Sequence, residues 1–417
     1  MDERTKKTRT TAERGAALVI ALLLMGLLLL LGTAFMTISS TETQIAFNEQ
    51  KAVQAFYLAE AGFHKTISDL NAGAVCSSLN DVPLPQSNPI GTFTRTVTLG
   101  ASLDQRIVES TGYVPDATSA TKAQATVKVT LKGSLFNTAL FAQGTDTTGA
   151  PELDIGENSL VDSYDSSRGA YGESNRGEKA EIGSNGNIRL KSGAIVKCSA
   201  FKRVSINKES GATVTGVETL FLNPVTLPPV VVPPGSGSDV NVPPTTTLTP
   251  GSYGKLNVAA NKTITFSPGT YYFYGDIKME PNSTLTISPP GQVKMYVTGK
   301  LDVKENVQIN AASARPTYLL IYSTGGTVDF DRNVEFHGAI YAPNANITVD
   351  ELDSRTEANA GIYGSLIGDK INIKKNQKIH FDTALLKLAP CDTAPSSSPP
   401  CPYKPVAGTW QEVLPSS

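Results

Sequence analysis

Three histidines and a few carboxylates are the first candidates for chemistry in this chain of 417 residues. His64 falls in a helical pattern near the N-terminus, whereas His337 and His380 lie far downstream. His380 and Asp382 are two apart in an alternating segment and so share one face of a strand. That spacing suits a base with an orienting carboxylate, but it is equally that of ordinary outward polar positions, which is the reading adopted. Asp162, Asp165 and Glu173 around Tyr164 carry oxygens enough for calcium, yet their spacing matches no EF-hand or RTX loop, and they read as a solvated acidic loop. No GxSxG, HExxH or phosphate-loop pattern occurs. Cys76, Cys198, Cys391 and Cys401 contain no CxxC and have no histidine at metal spacing, so zinc is not expected. The residues point to no enzyme, metal or cofactor. A net charge of −2 argues against nucleic acid as a partner.

What must position everything else is the N-terminal segment. Ala16 to Met36 is an uncharged apolar stretch of 21 residues, about 31 Å as a helix and long enough to cross a bilayer. Arg4, Lys6, Lys7, Arg9 and Arg14 precede it, and the next charge after it is Glu42. The basic side is therefore expected to stay cytoplasmic, with residues from 37 onward on the far side of the inner membrane. The helical pattern continues beyond the span. Ile38, Ile45, Ala52 and Ala59 recur every seven residues, with Phe56, Phe63, Ile67 and Leu70 beside them. A single helix from 16 to 70 would be ~80 Å long, half in lipid and half offering an apolar face to a partner.

ERGAALVIALLLMGLLLLLGTAF followed by QKAVQAFYLAEAGF resembles the N-terminal segment of the PilX-like minor pilins. The resemblance implies a short leader, residues 1–15, removed by a prepilin peptidase between Gly15 and Ala16. It also implies a helix, 16–70, that packs among other pilins after leaving the membrane. Major pilins carry Glu as the fifth mature residue; here that position is Ile20. A charge at bilayer depth costs ~2.5 to 3.5 kcal/mol and is kept where it is paired, in pilins with a neighbour's N-terminal ammonium. A subunit without it suits a tip or an initiating complex, unless its family accepts Ile throughout the filament. A secretory cut near Gly32-Thr33-Ala34 or a plain anchor explains less of the pattern.

Composition beyond the helix, with 35 Gly, 26 Pro and 7% aromatics, calls for short strands and many turns. Residues 71–90 read as loop. Alternation in TFTRTVTL, QRIVESTGYV and ATVKVTLK then predicts a small antiparallel head, the 71–133 domain, packed on the outer helix. In 134–388 the pattern is an internal repeat. Tyr253, Tyr274, Tyr296, Tyr322, Tyr341 and Tyr363 recur at intervals of 21, 22, 26, 19 and 22 residues. Each is followed by an apolar-x-apolar pair such as Leu301/Val303 or Val328/Phe330, often with an Asn fit for a left-handed corner. LDIGEN, IRLKSGAIV and VSINKESGATV are similar fragments that come earlier in the chain. This period predicts a parallel β-helix, with the tyrosines in one ladder and six coils making a rod of about 29 Å plus the earlier fragments. The fold class is thus an α+β pilin-like module followed by an all-β solenoid.

VDSYDSSRGAYG, HGAIYAPNANI and IHFD are similar to a β-helical domain found behind PilX-like N-termini, which implies architecture and no activity. The Pro-rich stretch 224–250 is expected as a surface excursion. The tail, 389–417, is expected to pack weakly apart from Trp410. Cys391 and Cys401 are the expected disulfide, closing a loop worth roughly 3 kcal/mol. Two classes of function follow. The chain is a minor pilin-like subunit at the tip or start of a type IV pilus or related filament, displaying a β-helix at the cell surface, or it is an anchored β-helix that handles a surface glycan.

Overall fold

The computed structural model describes residues 5–71, 79–85, 89–146, 149–242, 245–353, 360–388 and 403–413. Helix α1 (Thr5–Asn71) is continuous over 67 residues, about 100 Å. Between Leu18 and Met36 every large apolar side chain is exposed, from 46% at Leu31 to 77% at Met36. Past the apolar segment the helix keeps its hydroxyls satisfied internally: Thr37 Oγ1 donates to Thr33 O and Thr41 Oγ1 to Thr37 O, at 2.8 and 2.9 Å.

The last third of α1 packs on an antiparallel sheet of β1 (Leu79–Leu84), β2 (Gly91–Leu99), β3 (Gln105–Val114) and β4 (Ala123–Lys132), in that order. Ala55, Ala59 and Phe63 are buried between helix and sheet with Val108, Val127 and Val129. Close approach is set by two glycines. A Cβ on Gly112 would overlap the Ala55 carbonyl oxygen, and one on Gly62 would overlap Ser110 Oγ and the Phe93 ring. Ala55, Ala59 and Gly62, at helical spacing, are therefore the helix's flat contact with the sheet, while Ala61 faces outward. Two expectations change here. β1 falls in the segment read as loop, and Lys404–Pro405 and Gln411–Val413 of the tail add to β4, so the sheet has six strands. Tyr403 is buried, and Trp410 meets Phe63 edge-on at 5.2 Å.

The remainder is a parallel β-solenoid in which strands pair with those one coil away. One side, side A, carries ten rungs among the described residues. In stacking order these are Val240–Val242, Leu256–Val258, Ile277–Met279, Leu301–Val303, Thr327–Phe330, 346–349, 370–373, Leu153–Ile155, Ile188–Leu190 and Ile206–Lys208. Nine steps of about 4.8 Å make the rod roughly 43 Å tall. The outer two residues of most side A strands point inward, as with Leu301 and Val303 at 4% and 0% exposure, and each such side chain contributes roughly 1.5 to 3 kcal/mol on burial.

The corner from side A to the next side, B, needs a left-handed residue, and Asn158, Asn261, Asn282, Asn306, Asn333 and Asn376 supply it with φ between 56° and 61°. Gly193 and Gly211 take the same place in the rungs nearer one end. The corners also stack. Asn282 N donates to Glu305 O, Asn306 N to Arg332 O and Asn376 N to Glu157 O, each on the neighbouring coil.

The order of the rungs is not the order of the chain. Residues 140–220 start inside the rod, at the third rung from one end, and climb to that end. Residues 224–239 then run back along side C, the third side, and the chain re-enters at Val240 at the far end. It coils inward until 361–382 pairs with the first rung, Leu140–Ala142, Leu153–Ile155 and Leu160–Tyr164. At polyproline rise, residues 224–239 span about 50 Å, enough to run the length of the rod. The strap is held where Tyr341 Oη donates to Pro228 O and Tyr274 Oη to Pro233 O, at 2.6 and 2.9 Å. The surface excursion therefore ends near 239, because Val240–Val242 and Thr245–Leu248 are already strands of the terminal rung.

Head and rod meet at a buried ion pair. Arg106 of β3 is 1% exposed and donates to Glu181 at 3.1 Å and to the Asn137 carbonyl, with its guanidinium 5.4 Å from the centre of the Phe201 ring. Burial pushes the Glu181 carboxyl up and Arg106 opposes it. Leu103 N also donates to Thr226 O, tying the head to the start of the strap.

Candidate functional site

Two regions carry the functional candidates: the exposed half of α1 and the outer face of the solenoid. Gly15 and Ala16 lie within α1 and are exposed, with open space around the Gly15 Cα. Ile20 is 57% exposed. This segment has the length and composition of a single-pass membrane anchor. Beyond it Ile38, Ile45, Phe47, Val53 and Tyr57 are exposed by at least half, an apolar surface that the head does not use.

On the rod the tyrosines do not all form one ladder. Tyr296 registers with Tyr272 and Tyr322, and these three rings stack at 5.2 Å. Tyr341 continues the column, followed in register by Ile367, Phe141, Gly183 and Phe201. Tyr253 instead pairs with Phe273, and Tyr274 lies one residue past its strand, where it reaches the strap. Tyr363 belongs to another side altogether. A regular interval counts residues per coil, whereas register also depends on how many of them sit in each loop.

Side B holds what the sequence reading left in solvent. Ile379 and Phe381 point into the core, so His380 and Asp382 face outward, but His380 is 1% and Asp382 0% exposed. Loop 165–177 and the turn Thr383–Lys387 cover them. Register stacks His337, Tyr363, His380 and Asp162 on successive rungs. His337 lies on Tyr363 at 4.1 Å and 3°, Tyr363 is 4.9 Å from His380, and Tyr171 covers His380 at 3.7 Å. Each histidine has a carboxylate: His337 Nε2 meets Glu335 at 3.0 Å and His380 Nδ1 meets Asp162 at 2.5 Å. Asp162 is fully buried, which corrects the solvated-loop reading. Asp165 caps the turn Ser166–Arg168, and Glu173 is exposed. Burial holds the His380 imidazole below its ordinary value, against the pull of Asp162, and pushes the Asp382 carboxyl up despite bonds from Ser166 and Ala384. Among the described residues His337 Nδ1, His380 Nε2 and Tyr164 Oη have no protein partner, and no three ligating side chains gather as a metal site would need.

The expected Cys391 and Cys401 pair lies outside the described residues. Cys198 is disulfide-bonded. His64 sits on α1 beside Phe63, exposed.

Residues 14–64 match the family model described as PilX N-terminal. The chain has a PilX-type N-terminus. That segment is similar to the N-terminus of PilX-like minor pilins, and among the described residues it contains the one helix long and apolar enough to cross a membrane. Residues 242–388 match a second model, a domain of unknown function (DUF7305), which covers the inward-coiling rungs as far as the seam with the first. No curated protein sequence matches the chain. Among solved structures the competence-associated pilin ComZ from Thermus thermophilus is similar at 13% identity, over 87% of this chain and 98% of that one, with a TM-score of 0.22. At that score the likeness carries no argument.

Proposed function

We propose that this PilX-like chain is a structural subunit used at low copy to prime or cap a type IV filament, with other pilins as its partners, and that it carries the solenoid outward. Processing by a prepilin peptidase between Gly15 and Ala16 would free the helix for assembly. The observation that carries the reading is the PilX-type helix with Ile20 in place of the docking carboxylate, joined to a rod with ten rungs among the described residues. A missing docking charge and a bulky rod are tolerable once at a filament end and disfavoured at every step of a close-packed shaft. The reading is structural rather than enzymatic, and needs no cofactor.

Two measurements test it. Intact-mass analysis of membrane-extracted protein should give a chain beginning at Ala16; an uncut chain, or one beginning near Phe35, would end the processing claim. Quantitative mass spectrometry of sheared filaments should find this chain far below the major subunit, and its loss should reduce filament number more than filament length. Comparable stoichiometry would rule out the end position.

A further inference from the structure

We infer that residues 165–178 form an acid-opened clasp that locks the last rung of the solenoid onto the first, with His380 as the residue that releases it. The rod has one joint that chain continuity does not enforce, the seam where 361–382 pairs with 140–164. Side-chain bonds concentrate there. Ser166 N and Oγ donate to Asp382 at 2.9 and 2.6 Å, Thr383 Oγ1 donates to Tyr164 O, and Ser365 Oγ to Thr138 O.

The clasp leaves the first rung after Tyr164 and returns as Arg176–Gly177, paired antiparallel with Ser163 and Tyr164. Between those points it grips both sides of the seam. Tyr171 stacks on His380 of the last rung while its hydroxyl donates to Asp162 of the first at 2.8 Å, and Arg176 Nε donates to the same oxygen at 3.0 Å. Asp162 is thus the hub, taking two bonds from the clasp on one oxygen and His380 Nδ1 on the other. Lys387 beyond the last rung pairs with Asp165 at 3.6 Å.

A neutral His380 satisfies this arrangement with its proton on Nδ1. A second proton would go to Nε2, which is buried without an acceptor among the described residues. Of the groups facing the ring, Asp162 favours that proton, Lys378 and Arg176 oppose it, and Tyr171 and Tyr363 are uncharged. His337 with Glu335 stands behind Tyr363, and Asp382 lies two residues along the strand. Burial is the largest influence and disfavours the charged ring. The clasped state therefore binds fewer protons than the open one below the ordinary histidine value, about 6.5. Its stability is fully present above that pH and falls as the pH drops toward the lowered value of the clasped state. Asp382, held high, works with the opposite sign from near 3.8 upward, so the comparison must retain it.

Hydrogen exchange by mass spectrometry on the detergent-solubilised full chain, corrected for intrinsic rates, reads the clasp directly. Protection of 165–178 should fall by about fivefold to tenfold between pH 7.5 and 5.5, the limit being tenfold per unit for one proton, while side A peptides covering 256–279 stay unchanged. His380→Asn keeps a donor for Asp162 and cannot titrate, so its protection should not depend on pH over that range. Equal wild-type protection at both values, a matching fall at 256–279, or a persisting fall in H380N would overturn the clasp. If H380N unfolds the control rungs, Tyr171→Phe decides. It keeps the ring over His380 and loses one bond, and should exchange faster at both values with the wild-type pH ratio retained; loss of that ratio would refute the role of His380.

Discussion

Replacing Val303 by Asp tests the solenoid at its centre. Val303 is fully buried, in register with Met279 on one side and Phe330 on the other, each 1% exposed. The substitution forfeits the burial of a valine, roughly 1.5 to 3 kcal/mol, and puts a carboxylate where no cation is within reach, at a further cost of several kcal/mol. A total above about 4 kcal/mol is a large part of a domain's stability. Because each rung touches mainly its neighbours, the damage should be local. Hydrogen exchange at Ile277–Met279 and Thr327–Phe330 should accelerate by about a thousandfold or more, at 1.4 kcal/mol per factor of ten, and the head sheet should be unaffected. Asp302→Val is the matched control: one residue away on the same strand, with 31% of its side chain exposed, it should cost about 0.5 kcal/mol or less. Protection in V303D within a few-fold of wild type, or greater damage from the control, would refute the inward assignment of the apolar pairs.

Three further outcomes follow from the head and the rod's end. Gly112→Ala should separate α1 from β3 and lower the thermal midpoint of the head, since its Cβ would meet the Ala55 carbonyl oxygen; an unchanged melt would mean that helix and sheet can slide apart at no cost. Arg106→Met alone should destabilise the junction by about 3 to 5 kcal/mol by stranding Glu181, whereas R106M with Glu181→Leu should recover most of the loss in the same denaturation series. Lys208, hydrogen-bonded to Glu218 and joined by Lys202, holds that carboxyl below its usual 4.5. The stabilisation is present above that value and is lost as the pH falls through the lowered one. Exchange at 200–220 should therefore quicken on acidification below about pH 4.5 in the wild type but not in Glu218→Gln.

The sequence by itself determined the elements whose causes are local. An uncharged run of 21 residues is long enough for a bilayer wherever it occurs, and apolar-x-apolar pairs followed by Asn specify a strand and a left-handed corner one coil at a time, as Asn306 and Asn333 do. It did not reveal that β1 and the tail strands join the head, because short edge strands are selected by the neighbour they pair with. Period two put His380 and Asp382 on the outer face but carried no information about roofing by a loop about 200 residues away in the chain. Only the tertiary structure decided the order of the rungs. LDIGEN looks like the first of a series and is instead stacked on 370–373. Every coil offers the same backbone edges to its neighbours, so local pattern cannot choose among stackings; that choice rests on long-range fits such as Asp162 with His380, Lys370 with Glu152 at 3.4 Å, and a strap long enough to return along the rod.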